Sequence, residues 1–233
     1  MGSEGLGRLR SVLRQLAGFD IRDDAGVTVK PISVSGTRRI VRFAFDFARR
    51  NGRRAITVGH KANIMRFSDG VFLFTAGAEA QFYDDVWFEE MQVDELALHL
   101  AFEPESFDLL LLPNLYGDII SDLCAGLVGG LGLAPGANLG WEYAVFEAVH
   151  GSAPDIAGKG LANPVAMILS AAMMLDHLSE RLAAGAIRSA VTAVLAAGEV
   201  RTRDLGGSST TLEVARSVAD AAREELARGG GVR

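Results

Sequence analysis

Asp118 and Asp122, in the run Asn114-Leu-Tyr-Gly-Asp118-Ile-Ile-Ser-Asp122, stand four residues apart where a helix is expected to begin. On a helix that spacing projects both carboxylates from one face. Two or three carboxylates without a thiolate suit a hard cation: Mg²⁺ or Mn²⁺ takes one or two of them, keeps waters and completes its shell with substrate oxygens. The plainer alternative is that Asp118 caps the helix and Asp122 is solvated. A third acid, Asp94, follows Val93 at the end of an expected strand. Lys61, in His60-Lys61-Ala62-Asn63, also follows an apolar run. An ammonium there is either simply exposed or, facing a metal-bound substrate, lowered in pKa and able to move protons near neutral pH. Asn63 could bond an amide or hydroxyl, or close a turn; spacing does not choose between them.

The fourth stretch is Val149-His150-Gly151-Ser152-Ala153-Pro154-Asp155-Ile156, continuing through Gly158, Lys159 and Gly160 to Asn163-Pro164. Small residues and Pro154 let backbone approach a flat ligand. His150 can stack or donate, and Asp155 can accept both hydroxyls of a ribose. A carboxylate at that place would repel a 2′-phosphate, the logic by which acids favour NAD over NADP. Equally, the stretch could be a long ordered loop whose Asn163 caps the helix after Pro164.

Positioning these groups falls to an alternation of apolar patterns. Ile40, Phe43, Ala44 and Phe47 recur at helical spacing, with Ser35 as the expected N-cap and Asn51-Gly52 as the stop. Strands are expected at 55–58 and 85–93, and helices at 68–82 and from residue 95. Residues 107–112, with four consecutive leucines, read as a strand covered on both faces. A further strand is expected at 143–149, and Ala- and Leu-rich helices at 163–182, 185–197 and 210–227. The alternation makes the class α/β, where ligands gather at strand ends. Residues 1–30 carry scattered glycines and acids, Asp20, Asp23 and Asp24 among them, without a sustained period. The glycine-rich tract 126–136 is the expected lobe boundary.

Composition sets the outer limits. With 233 residues, 49% of them hydrophobic and 22% charged, the chain is expected to fold around a substantial core as one extended domain or two lobes. The most apolar stretch, 165–175, is far shorter than the roughly 20 residues that cross a bilayer, so no membrane partner is expected. Cys124 is the only cysteine, which excludes an intrachain disulfide and any multi-thiolate metal site and points to a reducing compartment. The 23 basic residues against 29 acidic ones give a net charge of −6. Arginines concentrate in residues 1–50, but the net charge is acidic, so no nucleic-acid partner is expected. The opening 16 residues are arginine-bearing and amphipathic, loosely like a mitochondrial presequence, although an ordinary solvated helix is the preferred reading.

Together the four stretches resemble the decarboxylating dehydrogenases of the isocitrate and isopropylmalate dehydrogenase family, and among them the NAD-dependent isocitrate branch. The resemblance covers 34–226 and rests on HKANIM, PNLYGDIISDLCAGLVGGLGLAPGANLG, FEAVHGSAPDIAGKGLANP and the DLGG at 204–207. It implies the family's two lobes around a substrate cleft, here as 34–128 (substrate and dimer lobe) and 129–233 (part of the nucleotide lobe), after a poorly matched 1–33. It implies NAD and Mg²⁺ or Mn²⁺ as cofactors and a hydroxy-tricarboxylate as substrate, with hydride transfer and loss of CO₂. Isopropylmalate is the alternative substrate.

By the same resemblance Lys61 is the catalytic lysine and Asn63 its polar neighbour. Asp94, Asp118 and Asp122 are the metal carboxylates. His150, Gly151, Ala153, Asp155, Ile156 and Asn163 form the adenosine loop. Lys61 and Asp94 would serve a partner subunit's site, so a homodimer, or a heteromer with a full-length relative, is expected. The compartment expected is the cytoplasm, with the mitochondrial matrix as the alternative. Roughly the first hundred residues of a full-length member have no counterpart, and where the family places a catalytic tyrosine after a Glu-Gly-Leu-like segment, Glu4-Gly5-Leu6 is followed here by Gly7. A catalytically incomplete chain that pairs with an intact subunit is therefore the competing expectation.

Overall fold

The computed structural model describes residues 3–22 and 24–229; Asp23 lies outside the described residues. The chain forms two compact units, divided between Gly117 and Asp118.

In the first unit, helix α1 (Ser3–Ala17) precedes an extended segment that leads to α2 (Val34–Arg50). The cap of α2 is Ser33 rather than the expected Ser35. Ser33 is extended, at φ −118° and ψ 148°, and its Oγ accepts the Gly36 N–H at 3.1 Å, whereas Ser35 is already helical. Strand β1 (Ala55–His60), helix α3 (Ser68–Ala80), strand β2 (Trp87–Gln92), helix α4 (Val93–Phe102) and strand β3 (Leu109–Leu111) follow. The sheet is parallel in the order β2-β1-β3, with Ile56 level with Phe88 and Leu109, and His60 level with Gln92.

Along β1 the side chains alternate. Ile56 and Val58 join Phe45 of α2 and Phe72 of α3 in one core. Gly59 faces the other way: a Cβ there would come within 2.6 Å of Leu112 Cδ2 and 3.1 Å of Leu96 Cδ2, so α4 closes the opposite face against backbone. The leucine run forms a shorter and less covered strand than its composition suggests. Only Leu109–Leu111 pair, and of these only Leu111 is buried, because β3 is the last strand of the sheet and has one partner.

Helix α5 (Asn114–Leu127) carries the chain across the division. In the second unit strand β4 (Pro135–Leu139) begins in the glycine-rich tract and pairs antiparallel with β5 (Ala144–Ala148). Gly136 permits this pairing, since a Cβ on it would sit 3.0 Å from the Glu147 carbonyl oxygen. Helices α6 (Val165–His177), α7 (Arg181–Ala197) and α8 (Thr211–Gly229) pack around Val165, Val191, Val214 and Val218. Gly198, at φ 71°, ends α7 in the left-handed conformation that glycine adopts without strain. Among the described residues no helix is long and apolar enough to cross a membrane.

Phe45 is fully buried at the meeting of α2 with the sheet and stacks on Tyr83 at 4.5 Å. Phe45→Ala is expected to lower unfolding free energy by about 3–5 kcal/mol, read by urea titration. A change below about 1 kcal/mol would contradict the packing described.

Candidate active site

The parallel register sets the first group of residues. Because His60 is level with Gln92, the chain leaves β1 and β2 at the same end of the sheet, with Lys61 beside the start of α4. Lys61 Nζ donates to the Asp94 carboxylate in a close ion pair and reaches Gln92 Oε1 at 3.3 Å. Asp94 lies in the first turn of α4, where the helix dipole favours a negative charge. Its carboxyl is held below the ordinary range, first by the Lys61 hydrogen bond and then by backbone N–H groups of Asp94 and Glu95. The Lys61 side chain is mostly covered and that of Asp94 mostly exposed, at 23% and 66%. The ammonium is thus aimed by its surroundings, and the carboxylate stays open to a further ligand.

The backbone around Lys61 is closed by side chains. Buried His60 accepts the Ala62 N–H on Nδ1 at 3.1 Å, and the Lys61 carbonyl accepts from Ile64 at 3.0 Å and Met65 at 2.8 Å. The Lys61 N–H itself goes to Oδ2 of Asp69 at 2.9 Å. Asp69 is fully buried, and its Oδ1 takes the Lys30 ammonium at 2.8 Å. Lys30 in turn lies 4.1 Å from the ring centroid of Tyr116. Burial alone would raise the Asp69 pKa, but bonds from Lys30, the Lys61 amide and Tyr116 outweigh it and hold the group below its ordinary value. Asn63, two residues beyond Lys61, is exposed on the turn that follows β1.

Asp118 and Asp122 both lie within α5 and both are exposed, so the four-residue spacing does put two open carboxylates on one helical face. Since α5 begins at Asn114, Asp118 is a full turn inside it, which removes the alternative of a capping role. Among the described residues no three His, Cys, Asp or Glu side chains form a group that could hold a metal ion. Two carboxylates with waters and substrate oxygens are nevertheless an ordinary Mg²⁺ set, and the donors on α5 fit one.

In the second unit the stretch after β5 is a chain of turns leading to α6, as the glycines and Pro154 suggest. His150, Gly151, Ala153 and Asp155 are exposed and Ile156 is half-buried. His150 Nδ1 lies 3.0 Å from the Gly151 carbonyl oxygen, and Ala153 holds a left-handed φ of 42° closed by the Ile156 N–H on its carbonyl. Nothing stands within 4 Å of where a Cβ on Gly151 would be, leaving backbone open to a flat ligand. The Asp155 carboxylate is free to accept.

Asn163 differs from its neighbours. It is buried; Oδ1 accepts the Val165 N–H at 3.0 Å, and Nδ2 donates to Asp204 Oδ2 at 2.9 Å. A Cβ on Gly132 would lie 2.8 Å from both Asn163 Cβ and Asp204 Oδ2, so the glycine-rich tract, the loop and the 204–207 segment meet there. Asn163 thus anchors the loop to the helix that follows it, and one amide N–H remains for a ligand. The far end of the loop is tied by Thr211, whose N–H bonds the Gly160 carbonyl at 2.8 Å and whose hydroxyl bonds that of Ala162. Asp69 is not among the residues that the sequence singles out, and Asp204 stands there only as part of the DLGG motif. The local signal for Asp69 is an acid at a helix start, and its Lys30 partner and the Asn163 partner of Asp204 are distant in the chain.

A model of the isocitrate/isopropylmalate dehydrogenase family matches residues 14–220, and the chain belongs to that family. Two curated relatives are each 50% identical. One is the probable NAD isocitrate dehydrogenase subunit alpha, mitochondrial, of Caenorhabditis elegans, aligned over 183 residues. The other is the NAD isocitrate dehydrogenase catalytic subunit 5, mitochondrial, of Arabidopsis thaliana, aligned over 194 residues. These matches cover 78% and 83% of this chain but 51% and 52% of the relatives, so the chain spans about half their length. The crystal structure of isocitrate dehydrogenase from Methylococcus capsulatus superposes with a TM-score of 0.82 at 44% identity, covering 88% of this chain and 62% of that one. The family match begins after residues 4–7, which therefore lie outside it.

Asn163→Asp would set a buried carboxylate against the exposed one of Asp204, raising the folded-state pKa of the buried group above the ordinary value of about 3.9. The variant is expected to approach wild-type stability below about pH 4 and to lose it as pH rises through the raised folded-state pKa. At pH 7 the deficit should be about 1–3 kcal/mol. Urea titrations across pH check this, and a pH-independent deficit would contradict the contact.

Proposed function

We propose that this chain serves the NAD-dependent oxidative decarboxylation of isocitrate to 2-oxoglutarate, with residues 34–128 as the substrate and dimer lobe and 129–233 as part of the nucleotide lobe. The observation that carries the reading is the Lys61–Asp94 pair at the matching ends of β1 and β2, in a chain 50% identical to proteins named as NAD isocitrate dehydrogenases.

Lys61 gives or takes a proton at Nζ, and Asn63 offers a neutral hydrogen-bonding partner beside it. Asp94 pairs with the ammonium and orients it until substrate arrives. Asp118 and Asp122 would hold Mg²⁺ or Mn²⁺, with Asp94 supplied from a partner subunit, and the ion when bound would polarise the substrate's oxygens. His150, Gly151, Ala153, Asp155 and Ile156 cradle the adenosine half of NAD, with Asp155 on the ribose hydroxyls and against a 2′-phosphate; Asn163 holds that loop in place. NAD would supply the hydride acceptor.

The chain acts as a homodimer or as a heteromer with a longer relative. The mitochondrial names of the curated relatives favour the matrix over the cytoplasm, for which they give no support. A second reading, a catalytically incomplete subunit that lends Lys61 and Asp94 to an intact partner, is favoured by the relatives' designation as subunits.

Turnover is measured with isocitrate, NAD⁺ and Mg²⁺ for the chain alone and mixed with a full-length homologue, and with isopropylmalate in a parallel arm. The expected result is isocitrate turnover in at least one preparation, reduced about 10²–10⁴-fold by Lys61→Ala in this chain. No turnover in either preparation would overturn the reading, and preference for isopropylmalate would replace the substrate.

A further inference from the structure

Strand β1 ends its ladder at the His60–Gln92 level, and the N–H of Lys61, just beyond the strand, is bonded outside the sheet. A buried backbone donor needs an acceptor, and the one that meets it is a carboxylate on another helix, Asp69 Oδ2 at 2.9 Å. Asp69 is wholly buried, and its second oxygen is taken by Lys30, from the segment before α2, at 2.8 Å. Ser68 Oγ adds a bond to that same oxygen at 3.2 Å. A buried ion pair adds little net stability over well-packed apolar residues, yet apolar residues could not accept this N–H.

We propose that Asp69 is a positioning residue for Lys61: its buried carboxylate, held by Lys30, fixes the backbone where the chain leaves the sheet and so aims the ammonium at Asp94. The direction of the Lys61 Cα–Cβ bond is set by the peptide plane that carries the bonded N–H. Freeing that plane lets the side chain swing while the strand behind it stays paired. The mechanistic consequence rests on Lys61 being the proton-moving residue; the tie itself does not.

The test reads the tie first. In the unsubstituted chain a through-hydrogen-bond scalar coupling between the Lys61 amide nitrogen and the Asp69 carboxyl carbon is expected, and its absence would overturn the proposal. Residue-resolved amide exchange is then compared in Asp69→Asn, which keeps an acceptor oxygen but loses the charge, and Asp69→Ala, which keeps neither. Lys61 exchange is expected to rise about tenfold to a hundredfold in the alanine variant, the loss of one buried hydrogen bond. It should stay within a few-fold in the asparagine variant, with Thr57 and Val58 in β1 following global stability only. Equal effects of the two variants at Lys61, or a Lys61 change that merely tracks Thr57, would show a purely structural acid and overturn it.

In the turnover assay Asp69→Ala is expected to lower kcat with KM nearly unchanged, and Asp69→Asn to restore most of it. A change confined to KM would contradict positioning. Absence of turnover in the unsubstituted chain counts against the catalytic reading of Lys61, and the coupling and exchange results then decide the tie independently.

Discussion

The constraint on which the first unit depends is the end of a hydrogen-bond ladder. Parallel strands β1 and β2 run level to His60 and Gln92 and stop together, so their exits lie side by side, one continuing into a turn and the other directly into α4. From that one register follow the closeness of Lys61 to Asp94, the placement of Asp94 in a helix's first turn, and the need for outside acceptors to meet the N–H groups of Lys61 and Ala62. The structure meets that need with side chains, Asp69 for one and His60 for the other. A slip of the register by one residue would reverse the faces of Val58 and Gly59, placing a side chain where Leu96 and Leu112 now touch backbone.

The second unit solves a similar problem with different means. The loop after β5 has few side chains of its own to pack, so its far end is tied. Asn163 joins the α6 start to Asp204, and Thr211 joins the α8 start to the carbonyls of Gly160 and Ala162. Upstream of those anchors His150 and Asp155 remain exposed. Both units therefore use polar side chains to hold backbone at the end of a turn or loop.

Legibility in the sequence follows the range of the interactions. Helix α2 and strand β1 were readable because their apolar spacing is local, although the cap moved from Ser35 to Ser33, since a two-residue offset changes no periodicity. The four leucines implied a strand buried on both faces; sheet order, which no local pattern encodes, made it an edge of three residues. Strand β4 was hidden because Pro135 and Gly136 suggest a turn, and only the close approach of the Glu147 carbonyl explains the glycine. The candidate site residues rest on their type and the family resemblance. The ties of Asp69 to Lys30 and of Asp204 to Asn163 have no local signal, because the partners stand 39 and 41 residues away.

The central claim is that one chain, through its strand register, holds the Lys61 ammonium against Asp94. It is tested most directly by a nuclear Overhauser contact between the Lys61 Hε and Asp94 Hβ protons, recorded in uniformly labelled chain and in a mixture of differently labelled copies. The account predicts a strong contact within one molecule. A contact seen only between differently labelled copies, or none with both side chains assigned, would contradict it.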